Sequence, residues 1–457
     1  MKKLILTLLF ITIPMSQAAG QIYIDVGKAK IKKSLIALPA LQYYGSARQR
    51  ESVKLGQNLF STIKNDLDVS AMFSFIDPKA FIEDTRKVGL RPAPGFPNGF
   101  KFTNWTPLET EFLVKAGYKV IKGKLILDAF VYHVPQGKLI FNQSYQSTKS
   151  NYHRIGHKFA SDIIEKLTGK KAMFNSKLTF TSDRHRRGQK EVYIMDWDGK
   201  NIQKVTNHKS IALSPNWSND GRKITYSNYN YHRRLKKHNI DLFIYDLIGR
   251  KRFLASYKTG INSGGGFFPG DKKIALSISL NRNPNIYSMN LVGKKSLRQL
   301  TRGPNNAMNV EPAISPDGKW IAFSSDRSGR PMIYVMSKNG GKARRITFAG
   351  KYNASPSWSP DGKKLAYAGF DKGHFDIFTI NLDGTGVKRL TSARKVNGRM
   401  ATNEDPSWSP DGRYIVFSSN RTGRNQLYMV SSDGTNERRI TYDKHNYYKP
   451  KWSPFLK

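Results

Sequence analysis

Trp358-Ser-Pro-Asp-Gly362 and Trp408-Ser-Pro-Asp-Gly412 are the same five residues written twice in one chain. Relatives of the pentapeptide stand at Trp217-Ser-Asn-Asp-Gly221, Phe267-Phe-Pro-Gly-Asp271, Ile314-Ser-Pro-Asp-Gly318 and Trp452-Ser-Pro454. The six copies begin 50, 47, 44, 50 and 44 residues apart. A sustained period of this size marks a repeat architecture, in which each unit buries its apolar face only by stacking on its neighbours.

The third copy, Pro312 to Thr347, shows what one unit contains. An apolar stretch ends at Ile314 and meets Asp317-Gly318, a dipeptide that accepts the positive φ angles of a tight hairpin turn. Trp320 to Ser325 alternates as a strand does, and Asp326 to Gly329 is a polar turn. Met332 to Met336 is a third strand, Asn339-Gly340 turns again, and Arg344 to Thr347 is the fourth. Four short antiparallel strands per repeat make a propeller blade, and six repeats predict a six-bladed β-propeller. Lys177 to Thr206 carries three strands of a blade without the opening one, whereas Lys449 to Pro454 is an opening strand with nothing after it. The two fragments are expected to complete one blade and tie the ring shut. The tryptophans then fill the space between blades rather than stack on a ligand, and the Asp-Gly pairs are turn chemistry rather than metal ligands.

Composition and charge narrow the function. The 457 residues include no cysteine, so disulfides, thiol catalysis and thiolate metal sites are excluded. Lys and Arg number 76 against 33 Asp and Glu, a net charge of +43, which favours anionic partners without specifying a fold. Met1 to Gly20 has Lys2 and Lys3, an apolar run from Leu4 to Ile13, and small residues up to Gly20, the pattern of a secretory signal peptide. Ten apolar residues fall short of the roughly 20 a spanning helix needs. Export predicts a soluble protein with no nucleic-acid partner.

Between leader and repeats the pattern is mixed. Ser34 to Leu41, Phe73 to Ile76, Lys124 to Val134 and Lys138 to Ser147 read as strands, and the last two as a hairpin. Ser46 to Leu67 places Val53, Gly56, Phe60, Ile63 and Leu67 on one helical face, Gly89 to Trp105 is a loop, and Asn151 to Thr168 is a helix ended by Gly169. The expected organisation is a signal peptide at 1–20, a mobile N-terminal segment at 21–33, a smaller α/β domain at 34–172 and the propeller at 173–457.

Few residues invite chemistry. His153 and His157 have the spacing of two metal ligands on a helix, but no third ligand is evident, and a polar face or interdomain contact is the expected role. Neither a Gly-x-Ser-x-Gly nucleophile elbow nor a phosphate-binding loop of the Gly-x-x-x-x-Gly-Lys type occurs. One set of positions is different. The residue opening each innermost strand recurs around the ring as Ser214, Gly264, Glu311, Ser355, Asp405 and Lys449, which places all six on one circle at a mouth of the channel. Glu404 adjoins Asp405, so this rim holds acids in a basic protein. Asn305, Asn306, Tyr352, Asn353, Asn403, Tyr447 and Tyr448 on the same loops suit a protein-recognition surface.

Taken together, the leader, the small α/β domain, the junction Tyr152-His-Arg-Ile-Gly-His-Lys-Phe-Ala-Ser-Asp-Ile-Ile-Glu-Lys-Leu-Thr-Gly169 and the pentapeptide propeller resemble the TolB family of the Tol-Pal system of Gram-negative bacteria. The resemblance implies a periplasmic, non-enzymatic adaptor without a cofactor or metal. It implies that the propeller mouth binds the peptidoglycan-associated lipoprotein Pal and that the mature N-terminal segment engages TolA. It also implies support of outer-membrane integrity and constriction at cell division, contacts with other Tol and outer-membrane proteins, and bacteriocins that thread into the channel. On this sequence the Pal-binding role falls to Glu311 first, then to Asn305, Asn306, Tyr352, Asn353, Ser355, Glu404, Asp405 and Tyr448. The TolA-binding role falls to Gln21, Ile22, Tyr23, Ile24, Asp25 and Val26. The expected form is a monomer. Two alternatives stand beside this reading: a basic propeller module with a weak attraction to anionic lipid or peptidoglycan, and a propeller hydrolase or lyase with its site in the channel. The charge itself is not part of the family pattern and is shared by both domains, +12 over Gln21 to Ser176 and +29 over Lys177 to Lys457.

Overall fold

A computed structural model of the chain describes residues 33–45, 50–280, 283–293 and 296–456. The leader and Gln21 to Val26 lie outside the described residues. The chain divides into two units, up to residue 170 and from 171 onward.

The N-terminal unit is a mixed sheet with two helices. Its strands are β1 (Ser34–Ala37), β2 (Gln42–Tyr43), β3 (Phe73–Phe75), β4 (Phe112–Ile121), β5 (Lys124–His133) and β6 (Lys138–Thr148), in the order β3-β1-β4-β5-β6 with β2 also on β4. β1 runs parallel to β3 and β4, whereas β4, β5 and β6 form an antiparallel meander. The sequence pattern assigns no strand between Trp105 and Lys124, yet β4 is the central one. Phe112, Leu113, Val114, Lys115, Ala116 and Tyr118 are all buried, and a strand covered on both faces lacks the alternation by which half-buried strands are found. Lys115 interrupts the apolar run and is held at 3.4 Å by buried Glu83; burial pushes its ammonium below the ordinary lysine range despite that pairing.

Helices α1 (Arg50–Val69) and α2 (Tyr152–Thr168) complete this unit. The buried face of α1 is Leu55, Gly56, Leu59, Ile63 and Leu67, with Val53 and Phe60 half-buried at its margin. Gly56 has a role there, because a Cβ on it would collide with the Tyr118 ring, whose hydroxyl donates to Ser52 O at 2.8 Å. The two histidines of α2 serve helix packing: His153 Nδ1 lies 3.2 Å from Thr62 Oγ1 and His157 Nδ1 2.7 Å from Asp66 Oδ2, both on α1. Gly169 ends α2 at φ 68°, its N–H donating to Glu165 O at 2.8 Å, the left-handed stop that glycine makes without a Cβ penalty.

The second unit is a six-bladed propeller, each blade a four-stranded antiparallel sheet. Blade one begins at Ile211, blade two at Asn262, blade three at Asn309, blade four at Tyr352 and blade five at Asn403. Blade six takes its innermost strand, Tyr447–Trp452, from the C-terminus and pairs it with Lys177–Ser182, followed by Glu191–Asp196 and Gln203–Lys204. Indoles join neighbouring blades: Trp358 Nε1 donates to Ala313 O at 2.9 Å, and Trp217 Nε1 to Lys451 O at 3.1 Å. The pentapeptide is a self-contained turn, in which Asp317 Oδ1 accepts from Ser315 Oγ at 2.6 Å and from Lys319 N at 3.0 Å. Asp220, Asp361 and Asp411 repeat that pattern.

Two turn glycines of blade three give a graded test of the packing. Gly329 (φ 87°) has nothing within 4 Å of an added Cβ, whereas at Gly340 (φ 82°) that atom would stand 2.7 Å from Leu300 O of blade two. Gly329→Ala is expected to lose only the left-handed backbone preference, about 1–2 kcal/mol. Gly340→Ala is expected to lose about 1–3 kcal/mol more from overpacking. Urea midpoints of the two variants check the difference, and equal midpoints would mean that blades two and three give way at no cost.

Candidate functional site at the propeller mouth

Every innermost strand breaks register at the same place, between Leu213 and Asn216, Ser263 and Gly266, Val310 and Ala313, Ala354 and Ser357, Glu404 and Ser407, and Tyr448 and Lys451. Within each break one residue has positive φ: Ser214 52°, Gly264 73°, Glu311 56°, Ser355 53°, Asp405 58° and Lys449 50°. Five precede a proline, while Gly264 precedes Gly265. An L residue in this conformation costs about 1–2 kcal/mol, and a bulge re-aims the side chain it carries. All six residues line one central cavity of about 370 Å³, so the strain is held in place by the closed ring and assembles five side chains and one glycine that are far apart in sequence.

Four of the six form a network. Lys449 Nζ lies 2.6 Å from Asp405 Oδ1 and 3.0 Å from Glu311 Oε1. Ser355 donates its backbone N–H to Glu311 Oε2 at 2.7 Å, and its hydroxyl lies 3.2 Å from Glu311 Oε1 and 3.1 Å from Asp405 Oδ1. Burial works against the charge on Glu311, but the Lys449 ammonium and the Ser355 amide prevail and hold its carboxyl below the usual range. Burial likewise opposes the charge on Lys449, yet Asp405 and Glu311 push its pKa above the usual lysine range. Lys451, one step deeper in the strand, is pushed down by burial and by the Lys449 charge. Exposed Glu404 is pushed up by desolvation and by its neighbour Asp405. The rim is therefore not simply acidic: two of its carboxylates, Glu311 and Asp405, already share a lysine, and a cationic or N–H-donating partner group must compete with Lys449 for them.

Outside this network the mouth opens into a second cavity of about 620 Å³, lined among others by Glu311, Tyr352, Ser355, Phe370, Phe375 and Glu404. Tyr352 is 41% exposed and stands edge-on to Phe375 at 5.6 Å. The structure thus brings Glu311, Tyr352, Ser355, Glu404 and Asp405 together. Asn353 is not on the surface with them. Together with Asn262, Asn309 and Asn403 it is almost fully buried two residues before a bulge, and its Nδ2 donates to Ala349 O at 2.9 Å. Tyr447 is interior too, at 1% exposure. Tyr448 is half-buried beneath Lys190 Nζ, 4.0 Å from its ring centre. Asn305 and Asn306 fall in a short 3-10 turn, where Asn306 is exposed at φ 58°. Sequence reasoning missed Phe370 and Phe375, although the signal was present: blade four's central strands run eight residues each, against six in blade three, and the excess carries these rings to the mouth.

The opposed forces on Glu311 give a prediction with a definite sign. In the wild type its depressed pKa stabilises the fold above the ordinary carboxylate range, and this contribution is lost as pH falls through the folded pKa. In Lys449→Gln the ammonium that offsets burial is gone, the folded pKa of Glu311 rises, and less stability is lost on acidification. The variant is expected to be less stable at pH 7, with the gap narrowing toward pH 4. Urea midpoints at both pH values check this, and a constant gap would show that Lys449 does not set the state of Glu311.

A small α/β domain followed by a six-bladed propeller, with an ion-paired ring of bulge residues at the mouth, defines the class of this protein. Residues 164–456 match the family model described as the TolB beta propeller domain, and residues 22–140 match the TolB amino-terminal domain; the chain belongs to the TolB family. The Tol-Pal system protein TolB of Desulfosudis oleivorans is 31% identical over 301 residues, 66% of this chain and 65% of that protein. The TolB homolog of Chlorobium chlorochromatii is 31% identical over 310 residues, 68% of this chain and 65% of that one. The matched stretches therefore span just under two thirds of the length of these relatives. Among solved structures, TolB from Acinetobacter baumannii shares the fold with a TM-score of 0.73, over 95% of this chain and 100% of that one, at 22% identity. Among the described residues no helix is long and apolar enough to cross a membrane.

Proposed function

We propose that this protein is a periplasmic, non-enzymatic adaptor of the Tol-Pal system. In this reading the propeller mouth binds Pal, and the segment from Gln21 to Lys33 engages TolA, so that the protein supports outer-membrane integrity and constriction during division. The observation that carries the reading is the mouth itself. Strained bulges in a rigid ring present Glu311, Ser355, Asp405 and Lys449 as one network beside the aromatic cavity of Tyr352, Phe370 and Phe375. Aromatic anchors next to charged groups are the usual make-up of a protein-binding hot spot. A preorganised receptor also loses little conformational entropy on binding. Titration calorimetry of the cognate Pal into the mature protein tests the proposal: one-to-one binding is expected, and absence of heat at moderate salt would overturn it.

A further inference from the structure

Blade one differs from the others in length. Its two central strands, Lys223–His232 and Lys237–Asp246, run ten residues each, whereas the corresponding strands of blades two, three and five run six. The excess is a hairpin that stands above the mouth face. Its pairing continues to the tip, Tyr231 opposite His238 and His232 opposite Lys237, so it is an ordered projection of the sheet.

The two faces of the hairpin differ. One is packed: His232 lies parallel to the Tyr257 ring with centres 4.9 Å apart, and Asn239 and Asp241 are buried. The other bears Tyr229 and Tyr231, 42% and 56% exposed, with the exposed His238 ring 5.2 Å from the first and 5.6 Å from the second. Exposed cations stand at the tip of the hairpin, Arg233, Lys236 and Lys237, the last on the packed side opposite His232, and on the adjoining turn of blade six, Arg186 and Arg187. That turn is tied to the hairpin's base, since Lys190 N donates to Ser210 O at 2.9 Å and the Ser210 hydroxyl donates to Tyr229 O. Lys190 also covers Tyr448, the neighbour of Lys449, so the surface continues into the mouth rim. Among the described residues none of Arg186, Arg187, Arg233, Lys236 and Lys237 has an ion-pair partner.

We propose that this hairpin and the blade-six turn bind an anionic polysaccharide, with Tyr229 and Tyr231 against the sugar rings and the five cations on its acidic groups. Charge complementarity selects an anion, and Arg presents a fork that matches a carboxylate or phosphate. The tyrosines select among anions. The CH-bearing face of a pyranose is apolar and gains by leaving water, and two exposed flat rings provide a surface for it. An acidic peptide would need only the charges. A lipid surface would need an exposed aliphatic wedge, and Leu235, the aliphatic residue at the tip, is half-buried. The proposal does not rest on the adaptor reading, because the site needs neither Pal nor Glu311.

An alginate hexasaccharide and N-acetyl-hexaglutamate amide, six carboxylates each with and without sugar rings, separate these chemistries. Calorimetry with the mature protein at low salt is expected to show the saccharide binding at least about tenfold more tightly, and weakening as salt screens the charges. Tyr229→Ala with Tyr231→Ala is expected to abolish the preference, and Arg233→Ala with Lys236→Ala and Lys237→Ala to weaken both ligands. Equal affinity for the two oligomers, or binding to phosphatidylglycerol vesicles but to neither oligomer, would overturn the assignment. All five substituted residues are exposed, so retained melting temperatures make either result interpretable.

Discussion

Glu311→Arg is expected to weaken Pal binding at least about 100-fold, on the order of 3 kcal/mol. The substitution removes the carboxylate that accepts from Ser355 N and pairs with Lys449, and it places a second cation where a partner's positive group would approach. Truncating one member of a hydrogen-bonded charge pair at an interface costs roughly 2–5 kcal/mol, and reversing its sign adds repulsion. Glu311 is 34% exposed at its side chain, so the ring should remain folded, with Asp405 still holding Lys449. Glu404→Lys gives an independent check, because Glu404 is exposed and makes no hydrogen bond in the network; a loss of about tenfold or more is expected. If both variants fold and bind Pal as the wild type does, the mouth is not the docking surface.

Deleting Lys449 to Lys457 is expected to lower the melting temperature by at least about 10 °C. The deletion takes Trp452, 7% exposed, out of the interface between blades. It also breaks the bonds from Trp452 Nε1 to Ser176 Oγ at 2.6 Å, Lys177 N to Ser453 Oγ at 3.0 Å and Ser453 N to Lys177 O at 2.8 Å. Loss of a buried tryptophan alone costs about 3–5 kcal/mol, and each kcal/mol is worth roughly 2–4 °C in a unit of this size. Thermal unfolding followed by circular dichroism measures the shift. A truncated protein that melts with the wild type would mean that the ring stands without its closing strand.

The propeller could be read from the chain because a repeat states its own boundaries. Six pentapeptides gave six blades, and the incomplete units at Lys177 and Lys449 indicated the composite one. The rim was legible for the same reason, since equivalent positions must share a circle. What escaped was whatever depends on distance across that circle. Lys449 is 138 residues from Glu311 in sequence, and no local pattern shows that one neutralises the other. Asn353 looks like a surface amide in a polar loop, yet three equivalent asparagines share its burial, and its amide is spent on a bond inside its own turn, to Ala349 O. In the N-terminal unit the error ran the other way, since β4 is too thoroughly buried to alternate.

The order in which the ring can form follows from blade six. Lys177–Ser182 is made first among the propeller strands, but its inner partner, Tyr447–Trp452, is the last of them to be synthesised. Until then the first strand waits with an unpaired edge, the kind of template on which chains join one another, and the last closure spans the greatest sequence separation in the unit, which slows it. A chain that emerges start first therefore carries this unpaired edge until every other blade has been made, and its first propeller strand is the one most in need of protection during folding.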